Sequence, residues 1–293
     1  VTAIVRNYPN GLQLYSGNSA ISTALQTILS NAGFPTPTQV ANSGNNTFLV
    51  YQLSNNSGTF STVFLVITIF VPVYVGNRNN ISASNNVSNA SISFNLFNTW
   101  NTGTFAGTGS LSTQTYLVTG GDCFGANAFH NVTTYNDNEG SYSLIVLTNP
   151  NNLFRLLFGF AKTVNNYVSN PETFGPSVHL LYTTNLNTFN SYGTTNAYGS
   201  STTSSNLQTY VHGVSGTSVW TPPNLDLDFN YQLIKPVNLR TGSFAIGGLS
   251  SDFIGCNVPT SGIIHGFTYS DLLTVSASEV YTYLTNGIAI RTT

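Results

Sequence analysis

The sequence predicts a mainly β protein, an antiparallel β-sandwich or jelly-roll-like architecture with two or three helices inserted. Three observations carry that expectation. Short runs of β-branched and aromatic residues recur with turn residues between them, several of these runs alternate apolar and polar side chains, and few segments show a helical period. About ten to twelve such strands are expected, the pattern of sandwiches, jelly rolls and barrels.

Residues 19–31 are expected as the first helix. Ile21, Leu25, Ile28 and Leu29 recur at helical spacing, Asn18 or Ser19 can cap the start, and Gly33 followed by Pro35 ends it. Its other face is uncharged Ser, Thr, Gln and Asn, which points to a neighbouring subunit. From Thr47 the pattern turns β: 47–53 and 62–75 are apolar strands separated by SNNSG, a hairpin. Segment 62–75 is the longest apolar run, but it contains Pro72 and falls short of the roughly 20 apolar residues a membrane-spanning helix needs, so no transmembrane segment is expected.

Residues 76–90 read as a polar loop. Segment 91–97 alternates, with Ile92, Phe94 and Leu96 on one face and Ser93 and Asn95 on the other, as in a half-buried strand. Further strands are expected at 116–119, 141–147, 178–183, 207–211, 225–234, 243–246, 263–269 and 288–291. A second helix is expected from 150 to about 168, with Asn149 as cap, Pro150 in the first turn and a stripe of Leu153, Leu157, Phe160 and Val164. A third is expected at 276–284. Residues 184–206 are low in complexity and read as a long loop, where any subdivision would fall. Strands of similar character flank it, so 1–293 is expected as one β-rich domain with insertions.

Charge is scarce. The chain carries seven Lys and Arg and nine Asp and Glu, where a soluble chain of this length carries about 70 charged residues. Asn (38 residues), Ser, Thr, Gly and Tyr take their place. This argues against an ordinary cytosolic enzyme. Arg6, Arg78, Arg155, Lys162, Lys235, Arg240 and Arg291 are scattered singly, so direct nucleic-acid binding is not expected, nor is a polybasic membrane patch. A surface with little charge repulsion favours self-association. It also suits acidic or saline surroundings, where ion pairs contribute less.

Cys123 and Cys256 lie 133 residues apart, and a disulfide between them is as consistent with the sequence as two buried thiols. A chain beginning at Val1 fits either cleavage of a secretory leader or removal of an initiator Met. Six sequons, at Asn45, Asn55, Asn80, Asn86, Asn89 and Asn131, are glycosylation candidates, although a chain so rich in Asn, Ser and Thr also makes sequons by chance.

The few acids and bases allow an exhaustive search for chemistry. On a strand, Asp226 and Asp228 in LDLDFNYQL project from one face, as a cation-ligand pair, a shared-proton dyad, or the wet side of an amphipathic strand. Asp137 and Glu139 lie in NDNEG, which resembles part of a Ca²⁺ loop but lacks its full pattern and needs no metal to form a turn. A Cys123 nucleophile would need His130, His179, His212 or His265, and no spacing selects one. No catalytic residue and no cofactor is therefore assigned; Asp226, Asp228, Asp137 and Glu139 are the candidates should Ca²⁺ bind. Trp100 and Trp220, beside turns, are assigned to packing at interfaces.

The leading expectation is a non-enzymatic structural subunit of a repetitive assembly, a virion coat, capsid or tail component. Its partners would be copies of itself and other structural proteins of the same assembly. Val1, Ile4, Gln26 and Ser30 are the self-assembly candidates, with 1–6 able to add to a neighbour's sheet edge. The alternatives are a secreted surface-layer or extracellular filament subunit, N-glycosylated at the sequons, and a secreted acid hydrolase using Asp226 and Asp228. The location would be the virion or the cell surface.

Overall fold

The computed structural model describes residues 2–53, 63–71, 90–110, 114–118, 129–148, 155–162, 165–166, 178–184, 188–193, 204–209, 233–234, 237–241, 244–256, 263–264, 267–268, 272–276, 278–285 and 288–293. In chain order they form β1 (Ile4–Gln13), α1 (Asn18–Asn31), β2 (Gln39–Ser43), β3 (Asn46–Leu53), β4 (Val63–Phe70), β5 (Ser91–Asn101), β6 (Ala106–Ser110), β7 (Thr115–Val118) and β8 (Phe129–Asn136). Then come β9 (Tyr142–Thr148), β10 (Arg155–Lys162), β11 (Asn165–Asn166), β12 (Val178–Thr184), β13 (Thr188–Gly193), β14 (Ser204–Thr209), β15 (Leu233–Ile234) and β16 (Val237–Thr241). The chain closes with β17 (Phe244–Gly248), β18 (Phe253–Cys256), β19 (Ile263–Ile264), β20 (Phe267–Thr268), β21 (Leu272–Ser276), β22 (Glu279–Thr285) and β23 (Ile288–Arg291).

The protein is mainly β with antiparallel sheets. A ten-stranded sheet has the order β1-β8-β9-β10-β12-β13-β14-β16-β17-β11, and a five-stranded sheet the order β15-β18-β23-β22-β21. A six-stranded sheet runs β2-β3-β4-β5-β6, with β7 also on β5, and β19 and β20 form a two-stranded ribbon. The chain divides into two compact units, one of Asn7–Thr133 with Leu147–Phe154, the other of Val1–Arg6, Thr134–Val146 and Arg155–Thr293.

In the first unit the expected hairpin of β3 and β4 forms, and β5 extends it. Leu49, Ile67 and Phe94 stand opposite one another across the three strands, as do Tyr51, Leu65 and Leu96, and all six are buried. Such cross-strand rungs are what binds a sheet beyond its main-chain ladder. The joining segment, 54–62, lies outside the described residues, as does 76–89. Strand β5 departs from simple alternation, because Ser93 is buried along with Ile92 and Phe94; its Oγ accepts a hydrogen bond from Gln114 Nε2 at 2.8 Å.

Helix α1 lies against β3 and β4 and buries Ile21, Leu25, Ile28 and Leu29, the expected stripe. Its end follows from Gly33, whose φ of +93° a side chain would resist. There the Gly33 amide donates to Ser30 O and the Phe34 amide to Leu29 O, both at 3.0 Å, which turns the chain and brings Phe34 edge-on to Tyr51. Its start differs from expectation. Gly17 is the capping residue and no side chain caps, because Asn18 Nδ2 donates instead to Asn45 O at 2.6 Å in the turn between β2 and β3.

In the second unit, Tyr135, Tyr142, Leu144, Leu157, Leu181, Phe253 and Ile290 belong to one buried core. Here three expectations are corrected, and the described residues contain one α-helix. Segment 155–162, expected within a helix over 150–168, is β10, paired with β12 so that Phe158 faces Tyr182 and Phe160 faces Leu180. Leu156, Leu157 and Phe158 are all buried, so the run is apolar because both faces of a strand are covered, a case that period alone does not separate from a buried helix. Segment 276–284, expected as a helix, runs mostly into β22: Tyr281 and Tyr283 are buried while Val280 and Thr282 are half-exposed, a period of two. Within 184–206, expected as a loop, 188–193 pairs with β12 as β13.

Gly159 is the tightest point of β10. A Cβ there would stand 2.1 Å from Ser143 O and 2.7 Å from Leu144 Cα, both main-chain atoms that cannot swing aside. Gly159→Ala is therefore expected to destabilise the protein by about 3 kcal/mol, read as a lower urea midpoint; a midpoint equal to wild type would show that the strands separate here without cost.

Candidate functional site

Of the residues that the sequence offers for chemistry, Asp137, Glu139 and His130 are described together with their side chains. Asp226, Asp228, Cys123, His212, His265, Asn55, Asn80, Asn86, Asn89, Trp220 and Val1 lie outside the described residues. Cys256 ends β18 opposite Leu233, and His179 lies in β12 opposite Ala161 and Gly193; the surroundings of their side chains are outside the description. Among the described residues no group of three or more His, Cys, Asp or Glu is placed to hold a metal ion. No described helix is long and apolar enough to cross a membrane.

Among the described residues the most concentrated ionisable cluster is Asp137, Tyr142 and Asp252. Asp137 closes the turn between β8 and β9: Gly140, at φ +65°, reverses the chain, and the Ser141 amide donates to Asp137 Oδ1 at 2.7 Å. Glu139 is on the same turn and exposed. From the first residue of β9, the Tyr142 hydroxyl donates to Asp252 Oδ2 at 3.4 Å, and its ring packs edge-on to Phe253 at 5.2 Å. The Asp252 carbonyl accepts from the Arg291 amide at 2.8 Å, and the Arg291 carbonyl accepts from Ala3 N–H at 3.0 Å. Burial raises the Asp252 pKa, and the negative charge of Asp137 adds to the rise. Burial also raises that of Tyr142, with the charges of Asp252 and Asp137 adding to the effect.

Both carboxylates are 5% exposed. Each holds segments of chain together, Asp137 through the Ser141 amide of its own turn and Asp252 through the Tyr142 hydroxyl. Sequence reasoning reached Asp137 through its turn and missed Asp252, because Ser-Asp-Phe carries no local signal and its partner Tyr142 is 110 residues away.

His130 and Asn131 follow Phe129 at the start of β8. His130 is 3% exposed, and its Nδ1 has no hydrogen-bond partner. Burial lowers its pKa from 6.5 to about 4, so the ring is neutral over most of the pH range. The Asn131 side chain is committed as well: its Oδ1 accepts from the Asn10 amide at 2.8 Å. Thr133 Oγ1 donates to Asn7 Oδ1 at 3.0 Å, and Arg6 donates to Asn136 Oδ1 at 3.1 Å. These bonds tie β1 to β8, so Ile4, a self-assembly candidate, sits in a strand paired within its own chain. Asn45, by contrast, is exposed at a hairpin tip.

Trp100 is half-buried in a cluster with Phe48 at 5.8 Å and Phe97 at 6.0 Å, its Nε1 donating to Gln39 Oε1 at 2.7 Å. Phe105 stacks on Phe48 with rings 4° from parallel, although its φ of +52° is a conformation few bulky residues adopt. The stack gives that strained position a physical reason. Gln39, the natural hydrogen-bonding partner of the indole, is itself held by Thr102 O at 3.2 Å. This aromatic platform thus has its polar groups satisfied internally.

Comparison with known proteins gives no match: no family model, no curated protein and no solved structure matches the chain.

Two of the buried titratable groups, His130 and Asp252, act in opposite senses on stability. His130 binds its proton more readily in the unfolded chain, so its contribution is complete above about pH 6.5 and is lost as pH falls towards about 4, by on the order of 3 kcal/mol. Asp252, with its folded pKa raised, contributes stability below the unfolded value of 3.8 that is lost as pH rises through the folded value. His130→Phe is expected to flatten the loss of stability towards acid, and Asp252→Asn, which keeps an acceptor for Tyr142, to raise stability at neutral pH. Urea midpoints at about pH 4.5 and about pH 7.5 check both; a His130→Phe protein with the wild-type acid slope would refute the assignment.

Proposed function

We propose that this chain is a non-enzymatic structural subunit of a repetitive assembly, a virion coat or tail component, packed against copies of itself and against other structural proteins of the same particle. The observation that carries the proposal is the outward face of α1. Ser19, Ala20, Thr23, Thr27, Ser30 and Asn31 are exposed, Ala24 and Gln26 are half-buried, and none is ionisable. Three of the polar members turn back on their own helix: Thr23 Oγ1 donates to Ser19 O and Thr27 Oγ1 to Thr23 O, each at 3.0 Å, and Gln26 Nε2 donates to Ser22 Oγ at 3.1 Å.

A polar face that is already hydrogen-bonded can be covered by a neighbour without leaving those donors unsatisfied, and stranding a donor costs about 1–3 kcal/mol. The small side chains allow close approach. A scarcity of charge across the chain supports the same reading, since little opposes contact between copies. A sandwich or jelly-roll arrangement of the sheets belongs to this proposal, as does the absence of a direct role in nucleic-acid binding.

Asn45 favours a second reading. It occupies the exposed two-residue tip between Ser43 and Asn46, where Gly44 takes φ +58° and the chain reverses. The residue is exposed there. This is the reading as a secreted surface-layer or filament subunit, and intact-mass and peptide mass spectrometry of native material separate the two. An unmodified Asn45 peptide supports the coat; hexose-containing mass on that peptide moves the protein to a cell surface. The reading as an acid hydrolase rests on Asp226 and Asp228, outside the described residues.

Gln26 anchors the buried Ser22, so the discriminating substitutions lie farther out. Thr27→Lys with Ser30→Lys places positive charge near the carboxy end of α1, where the helix tolerates it. Assembly followed by light scattering and electron microscopy is expected to be lost, with circular dichroism and melting temperature retained. Particles indistinguishable from wild type would sink the proposal that this face is buried between copies.

A further inference from the structure

Exposed sheet edges are where one chain can pair with another, and proteins ordinarily guard them with charge, proline or a bulge. The edges described in the first unit differ in this respect. Strand β1 has Pro9, which lacks an amide hydrogen, and Asn10 at φ +52°, whose amide is taken by Asn131. Strand β6 is distorted by Gly109 at φ +62°, packed against Asn98, and the Phe97 ring covers the place of a Cβ at Gly107. Strand β2 has none of these devices. Its residues Gln39, Val40, Ala41, Asn42 and Ser43 include no proline and no charge, its register with β3 is unbroken from Gln39 opposite Val50 to Ser43 opposite Asn46, and Val40 is 48% exposed. Among the described residues no strand lies beyond it.

The hairpin geometry specifies which groups are open. In a two-residue hairpin the closing pair, Ser43 and Asn46, exchanges both main-chain bonds, and bonded pairs then alternate along an antiparallel ladder. Ala41 and Gln39 therefore bond towards β3. Val40 and Asn42 turn their N–H and C=O groups the other way.

We infer that β2 is a docking edge for β2 of a second copy, paired antiparallel about a two-fold axis at Ala41. This inference rests on the self-assembly reading and names the strand that carries it. In that register Val40 of each copy lies opposite Asn42 of the other, so all four outward donors and acceptors on each strand are satisfied by the same groups of its mate. Ala41 meets Ala41, where a small side chain suits the close non-bonded pair. The two exposed Val40 side chains share one face as diagonal neighbours. No ionisable side chain on β2 meets its like, and the isologous contact needs no other partner. The six-stranded sheet becomes a continuous sheet across the axis.

The test uses the full chain with two substitutions. Val40→Lys brings two like charges together at the axis and, because the site is exposed, is expected to leave the melting temperature unchanged while weakening association about tenfold or more in sedimentation equilibrium. Ala41→Cys is expected to give a covalent dimer on mild oxidation, joined at position 41 by peptide mapping, with the wild-type chain as the blank for Cys123 and Cys256. If wild type associates, Val40→Lys associates equally and no position-41 cross-link forms, the β2 edge is excluded while self-assembly through another face, such as α1, stands. If wild type remains monomeric up to about millimolar concentration, a Kd range of only about 4 kcal/mol, both the edge and the self-assembly reading fall.

Discussion

Neutral side chains closing onto main-chain groups are the interaction on which the described structure depends. With seven basic and nine acidic residues in 293, the chain has few ion pairs available to hold its turns and edges. Asparagine and hydroxyl groups serve instead. Asn101 Oδ1 accepts the Gly103 and Thr104 amides to build the turn from β5 to β6, Asn18 ties the helix start to the β2–β3 tip, and Asn131 takes up the amide of Asn10 where β1 is distorted. Each such bond contributes about 1 kcal/mol net. Their value is positional: they let tight backbone reversals form without exposing unpaired amides.

The same constraint shapes the surface. Helix α1 has an apolar stripe set on β3 and β4 and an outer face on which the Thr23 and Thr27 hydroxyls are bonded to their own helix. Strand β2 is an edge without the charge that usually keeps edges apart. In a highly charged protein these surfaces would be kept from their copies by repulsion; here the composition removes that barrier, and the local hydrogen bonding removes much of the desolvation cost. The carboxylates that are described at low exposure, Asp137 and Asp252, are committed to a turn amide and to Tyr142, which places them in the framework of the second unit.

Much of the fold was legible in local pattern. The stripe of α1 and its glycine stop, the β3 and β4 pair, and β23 at 288–291 all depend on residues a few positions apart, and all stand where the periodicity puts them. The helix expected over 150–168 was misread at 155–162, where an apolar run covered on both faces has no exposed side to mark its period, and at 276–284 the Tyr281, Tyr283 alternation was outweighed by a helical spacing of apolar residues. The cluster of Asp137, Tyr142 and Asp252 was only partly legible. Its turn is written in NDNEG, but its depth and its second acid are set by segments far apart in the chain.

By itself, then, the sequence determined the neutral composition, the mainly antiparallel β character, the helix at 18–31 and the turn chemistry of Asn, Asp and Gly, because these follow from composition and from neighbours within a turn or a strand. Only the tertiary structure decided that 155–162 is a strand, that the Asn131 side chain is engaged while Asn45 is exposed at a tip, that His130 is neutral, and that β2 is an edge among the described residues. Burial and edge position depend on which distant segments pack alongside, as Tyr142 and Asp252 do across 110 residues, and local period has no access to that.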